Sequence, residues 1–178
     1  MLLPLTFALL LAQAAPPLFL EPGTWWEYRE SYTERLGGLD RISDDTTRFE
    51  VHGRAGRLFL DQKGGFDPAP APIELAPSSL RLGGFTGDEP LPLPLALGRR
   101  GPILEAGLSA WVVEAEEQVN VPAGSFAALR CVLRADSVIG ALWIAPAVGV
   151  VRETQGVRGR RPDLERVLLR WGTAGRTR

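Results

Sequence analysis

Two turns 17 residues apart constrain this chain more than anything else in it: Val121-Pro122-Ala123-Gly124-Ser125-Phe126 and Trp143-Ile144-Ala145-Pro146-Ala147-Val148-Gly149-Val150-Val151. Around them, residues 119–154 are apolar and β-branched with a period of two, which reads as consecutive antiparallel strands joined by Gly- and Pro-bearing turns. The residue before each proline avoids the α region, and each glycine opens a turn conformation closed to other side chains. Phe126 then re-enters the core. Such punctuation describes a fold and carries no reaction.

The same texture extends to both sides. In Trp25-Trp26-Glu27-Tyr28-Arg29-Glu30-Ser31-Tyr32, the side chains of Trp26, Tyr28 and Tyr32 share one face of a strand, with Glu27, Arg29 and Ser31 on the other. Thr47, Phe49 and Val51 alternate with Arg48, Glu50 and His52, and Gly53-Arg54-Ala55-Gly56 marks a hairpin into residues 57–62. Residues 109–119 fit two periods. Leu104, Leu108, Trp111 and Ala115 are spaced as on a helix, while Trp111, Val113 and Ala115 alternate as on a strand. Gly101-Pro102, Gly107 and Val112-Val113 favour the strand. Leu129, Cys131 and Leu133 oppose Arg130 and Arg134, and residues 138–145, apolar on nearly both faces, read as a central strand. A last strand over 164–171 sets Val167, Leu169 and Trp171 opposite Arg166, Leu168 and Arg170.

Residues 66–103 break the pattern, since 8 of the chain's 15 prolines fall there and proline cannot donate to a sheet ladder. Ile73-Glu74-Leu75 and residues 79–82 suit short edge strands; Leu91-Pro92-Leu93-Pro94-Leu95 suits an extended segment. A stretch this rich in leucine is expected to lie on the sheet as a covering flap that blunts an edge, or else to be an irregular loop.

Residues 2–11 are apolar, and Ala12-Gln13-Ala14 has the small-x-small pattern of a signal-peptidase site. A spanning helix needs about 20 apolar residues, and Pro16 and Pro17 interrupt this run. The expectation is therefore a cleaved leader over 1–14 and a single β domain over 15–178. No Cys lies near the cleavage point to carry a lipid anchor, so the mature chain is expected to be soluble, in the periplasm or outside the cell. A lone cysteine, Cys131, cannot form an internal disulfide, leaving stability to packing. The net charge of −1 argues against nucleic acid as a partner, yet residues from Val151 onward hold eight Arg against three acids. Arg outnumbers Lys 19 to 1, which suits a thermophilic or GC-rich source.

Three elements together, Pro22-Gly23-Thr24-Trp25-Trp26-Glu27-Tyr28, residues 121–126 and residues 143–151, resemble a group of secreted bacterial proteins of which the TapB-like family is one. The run from Leu91 to Gly98 is similar to that family's proline-leucine segment. Arg99-Arg100 stand where an aromatic is usual, and Arg152 where a Lys is common. The resemblance implies a mostly β fold, a curved antiparallel sheet or half-open barrel of the lipoprotein-carrier kind with a long Pro/Leu-rich covering loop. It brings no activity with it.

Catalytic chemistry finds few candidates. His52 is the only histidine, and a nucleophilic dyad would require it beside Cys131, which the alternation buries. Asp40, Asp44 and Asp45 lack the spacing of a calcium loop, so no metal or other cofactor is expected. Glu114 and Glu116 project from one strand face without the opposed geometry of a hydrolase pair. The chain reads as non-catalytic, with two functional classes open. In one, Trp26, Tyr28, Trp111 and Trp143 line a concave sheet that holds a lipid or other apolar ligand under the flap. Against it stands the fact that aromatic rings fill any core. In the other, a filled sheet turns Arg152, Arg158, Arg160, Arg161, Arg166 and Arg170 toward an anionic envelope surface or a partner.

Overall fold

The computed structural model describes residues 18–37, 39–64, 70–102, 109–134, 138–174 and 176–177; the expected leader lies outside the described residues. A short 3-10 turn, Leu18–Leu20, leads into β1 (Trp25–Leu36), β2 (Leu39–Arg54), β3 (Arg57–Lys63), β4 (Ala71–Ala76), β5 (Ser79–Leu82) and β6 (Leu91–Pro92). After these come β7 (Ala110–Val121), β8 (Gly124–Arg134), β9 (Val138–Ala145), β10 (Gly149–Val157), β11 (Leu164–Thr173) and the short β12 (Arg176–Thr177), which folds back to pair antiparallel with the end of β11. The segment with two competing periods is thus a strand, β7.

All pairings are antiparallel, in the order β6-β5-β4-β3-β2-β1-β11-β10-β9-β8-β7. Each strand pairs with its sequence neighbour, and β1 additionally pairs with β11, which joins the two halves of the meander. The sheet curls into a nearly closed barrel of eleven strands with one seam, between β6 and β7. Curling removes most of the free sheet edge, which is how all-β chains avoid edge-to-edge association.

The proline-rich stretch does two jobs in this wall. Its described part supplies β4, β5 and β6, and residues 83–90 form the cover: Phe85 and Thr86 are buried, with both their amides bonded to the Leu82 carbonyl. Residues 98–101 then line the seam. Gly98 N–H donates to the Val113 carbonyl (2.8 Å), Val113 N–H to Arg99 (2.9 Å) and Gly101 N–H to Trp111 (2.8 Å). On the other side Gly101 packs so closely on Pro90 that a Cβ would sit 2.3 Å from its carbonyl oxygen. Proline fits here because a two-residue strand beside a seam asks little of the ladder.

Alternation predicts the inner face well on β1 and β2. Trp26, Tyr28 and Glu30 point inward with Thr47, Phe49 and Val51 beside them. Ala55 (φ 51°) and Gly56 (φ 75°) close the β2–β3 hairpin with the paired positive dihedrals that match strand twist. Elsewhere bulges reset the alternation, because one strand contributes an extra residue and every later side chain changes face. One lies on β11 at Leu169, where Glu27 pairs with Arg170 but Tyr28 with Leu168. Another lies on β10 at Val151, and a third on β7 at Glu114.

Candidate functional site

The motifs that mark this sequence meet inside the barrel. Trp26 donates its indole N–H to the Val148 carbonyl (2.5 Å), and the Tyr28 hydroxyl donates to the Val150 carbonyl (2.6 Å). At the same end, the Ala123 amide of the β7–β8 turn reaches the Leu168 carbonyl at the β11 bulge (3.1 Å). The entry strand and both turns are therefore one packing unit. Phe19 meets Trp26 edge-on, and Tyr28 meets Phe49 and Phe85 the same way, at centroid separations of 6.4, 5.8 and 5.7 Å.

Beside Tyr28 lies a buried charge cluster. Arg166 on β11 stands directly opposite Glu30 on β1 and Glu153 on β10 in the strand register. Both carboxylates are fully buried, and the arginine is nearly so. Arg166 Nε donates to Glu30 Oε1, and its Nη1 donates to Glu153 Oε2 (2.8 Å) and to the Gly84 carbonyl of the covering loop (2.7 Å). Tyr32 donates to Glu30 Oε2 (3.0 Å) and Gln155 to Glu153 Oε1 (2.6 Å), so each of the four carboxylate oxygens accepts a bond. The guanidinium lies over Phe49 and Phe85, 5.3 and 5.5 Å from their centroids.

One cation serves two anions here, and the titration follows from that. Burial alone would lower the Arg166 pKa, but Glu153 and Glu30 outweigh it and hold the guanidinium charged beyond its ordinary range. Burial raises the Glu153 carboxyl, with repulsion from Glu30 adding to it, despite the attraction of Arg166. Burial, then Glu30, pushes the Tyr32 hydroxyl up to about 12. For a carboxyl whose folded pKa is raised, stability is fully present below the unfolded value of 4.5 and is lost as pH rises through the folded value. Glu153→Gln is thus expected to gain on the parent protein as pH rises through that window. Urea denaturation at a series of pH values checks this, and parallel stability curves would count against it.

The sequence-predicted lining residues do not meet around a cavity. Trp26 and Tyr28 do point inward, but the space they border with Phe19, Leu60, Leu82, Phe85 and Val150 is only about 10 Å³. That is about the room of one water, in a site without polar partners for it. Trp111 is buried away from them, its ring over Gly140, where a Cβ would sit 3.3 Å from it. Trp143 is a correction: it occupies the outer side of β9, between inward-facing Leu142 and Ile144. There it donates to Glu117 (3.0 Å) and lies under Arg152, 5.0 Å away. An apolar strand leaves its direction undetermined, and the wider outer surface accepts the larger ring.

The expected arginine face divides in three. Arg166 is inside the barrel, a second correction. Arg170 is outside, bidentate on Glu27 (2.6 and 2.8 Å), because the Leu169 bulge separates two positions that share sequence parity. Arg152 pairs with Glu165 (2.7 Å). Arg158, Arg160 and Arg161 are exposed on the β10–β11 connection. Glu30 and Glu153 were missed as site residues, although Glu30 has the parity of Trp26 and Tyr28 and could have been found from it.

The reactive candidates lie apart. His52 faces outward near Glu50 (3.6 Å) and Asp61 (3.5 Å) on β2 and β3. Cys131 faces the interior, where burial pushes its thiol up to about 12. Asp44 holds the Ser31 hydroxyl (2.7 Å), Asp45 the Thr46 amide (2.7 Å), and Asp40 lies 3.8 Å from Arg35. The β7 bulge parts Glu114, which accepts from Arg130 (3.2 Å), from exposed Glu116. Among the described residues no group of three acidic, His or Cys side chains could hold a metal.

No protein-family model and no curated protein matches this chain. Two solved structures resemble it in part. One, a Bacteroides fragilis protein described as exported and as having a YmcC-like fold, aligns with a TM-score of 0.49 at 12% identity over 86% of this chain and 97% of its own. The other, a Parabacteroides distasonis protein described as a lipoprotein, aligns with a TM-score of 0.37 at 13% identity over 86% and 96%. Similarity at this level carries no activity across.

Proposed function

We propose that this chain is an exported, non-catalytic envelope module that acts through its surface, with the filled barrel as scaffold. The observation that carries this reading is the interior: the space beneath the cover is about 10 Å³, against several hundred for a small-molecule site. The leader pattern over 1–14 supports export, and membership of the secreted family that shares these turns belongs to the same proposal. His52 and Cys131, on opposite faces of the wall, offer no dyad.

A second reading, capture of an apolar ligand, is favoured by an open groove of about 370 Å³ between Leu95, Ala96 and Leu97 on one side and Ala127, Ala128 and Leu129 on the other. Native mass spectrometry of the chain from Ala15, purified without detergent and offered phospholipids and fatty acids, separates the two. The surface reading expects the bare polypeptide mass. A retained acyl ligand would overturn it in favour of the groove, and Leu97→Asp should then abolish the adduct.

A further inference from the structure

We propose that the free end of the β1–β2 hairpin, together with the adjoining β10–β11 connection, docks on an anionic lipid surface. The proposal deepens the surface-module reading and rests on it. The two strands outrun their neighbours: β11 pairs with β1 only as far as Tyr32, and β3 pairs with β2 only from Arg48 onward. Residues 33–36 and their partners 39–42 therefore project as a two-stranded ribbon, its β1 half reaching about 13 Å past the wall at the usual strand rise.

The end of this ribbon is apolar. Leu36 and Leu39 face each other in the last rung and are 63% and 77% exposed, and Ile42 on the other ribbon face is 46% exposed. Of six large hydrophobic side chains exposed among the described residues, these are three, and a fourth, Val157, opens the adjoining connection. Aliphatics on both faces at one tip suit insertion end-on, since neither face alone offers a stripe to pack against a protein groove.

Unpaired positive charge lies on the connection beside that ribbon. Arg35 ties ribbon to connection, bonding Asp163 and the Arg161 carbonyl, and the Thr33 amide bonds the Asp163 carbonyl (2.9 Å). Arg35 thereby offsets Asp163 and also lies near Asp40, while Glu34 stands opposite Arg41 in register. Asp44 and Asp45 lie farther back along β2. Arg158, Arg160 and Arg161 are exposed and have no carboxylate partner among the described residues. Apolar insertion and a small basic cluster are each weak alone and sufficient together at a lipid interface.

The test is sedimentation of the chain from Ala15, which keeps every described residue, with phosphatidylcholine vesicles containing or lacking phosphatidylglycerol. Binding is expected only with the anionic lipid and should fall as salt rises. Each arginine near such a surface is worth roughly fivefold in partitioning, so Arg158→Gln, Arg160→Gln and Arg161→Gln together should weaken binding roughly a hundredfold. Leu36→Ser with Leu39→Ser should weaken it at every salt concentration while leaving the thermal midpoint unchanged. Equal binding to neutral vesicles, or unchanged binding by either variant, would overturn the proposal. So would a tip variant that instead dissociates a dimer on size exclusion, which would assign the tip to a second copy of the chain. A lipid adduct in native mass spectrometry tests the surface reading separately and does not depend on these outcomes.

Discussion

Replacing Arg166 with methionine is expected to cost about 3–5 kcal/mol of folding stability, because it leaves two fully buried carboxylates without their shared cation. Domains of this kind are stable by roughly 5–15 kcal/mol, so the loss is a large part of the total. The cost belongs to the orphaned anions more than to the bonds themselves. Replacing all three, with Glu30→Leu and Glu153→Leu added to Arg166→Met, should therefore recover much of it, since apolar side chains of similar size satisfy the same space among Phe49, Phe85 and Tyr28. Urea denaturation of the single and triple variants decides the matter. A loss below about 1 kcal/mol for Arg166→Met, or a triple variant less stable than the single, would show that the cluster is not held as described.

This cluster also explains why part of the fold was legible in the residues and part was not. Period-two alternation placed Trp26 and Tyr28 inside and put His52 and Cys131 on separate faces, because β1, β2 and β8 keep their register through those positions. It failed where a bulge intervenes. Arg166 and Arg170 are four residues apart and read as one basic face, but the extra residue at Leu169 sends the first inward and the second out. Trp143 failed for a different reason: β9 is apolar on both sides, so hydrophobicity could not say which side meets the interior. The proline-rich stretch was legible in part: residues 73–75 and 79–82 read as short strands and form β4 and β5, while β6 carries Pro92 within a pairing that the composition argues against. Exposure was the least legible feature. Leu36 and Leu39 lie beyond the alternation read to Tyr32, and they form an exposed tip because β1 and β2 are longer than the strands that flank them.

The second large effect concerns the turn that first marked this sequence. Gly149 has φ of +99°, a conformation that side chains adopt with difficulty, and a Cβ there would lie 3.2 Å from both the Phe19 ring and the Trp26 indole. Gly149→Ala is expected to cost about 2–5 kcal/mol, of which roughly 1–2 is backbone strain and the remainder overpacking. Gly159→Ala supplies the control: its φ of +77° demands the same backbone tolerance, but nothing lies within 4 Å of the added carbon. Denaturation midpoints for the two variants should thus differ by the packing part alone. If Gly149→Ala is no more harmful than Gly159→Ala, the Phe19 and Trp26 rings are not seated on that turn. The early Trp-x-Tyr element and the Ala-Pro-x-Val-Gly turn would then need some reason for their presence other than the joint they form here.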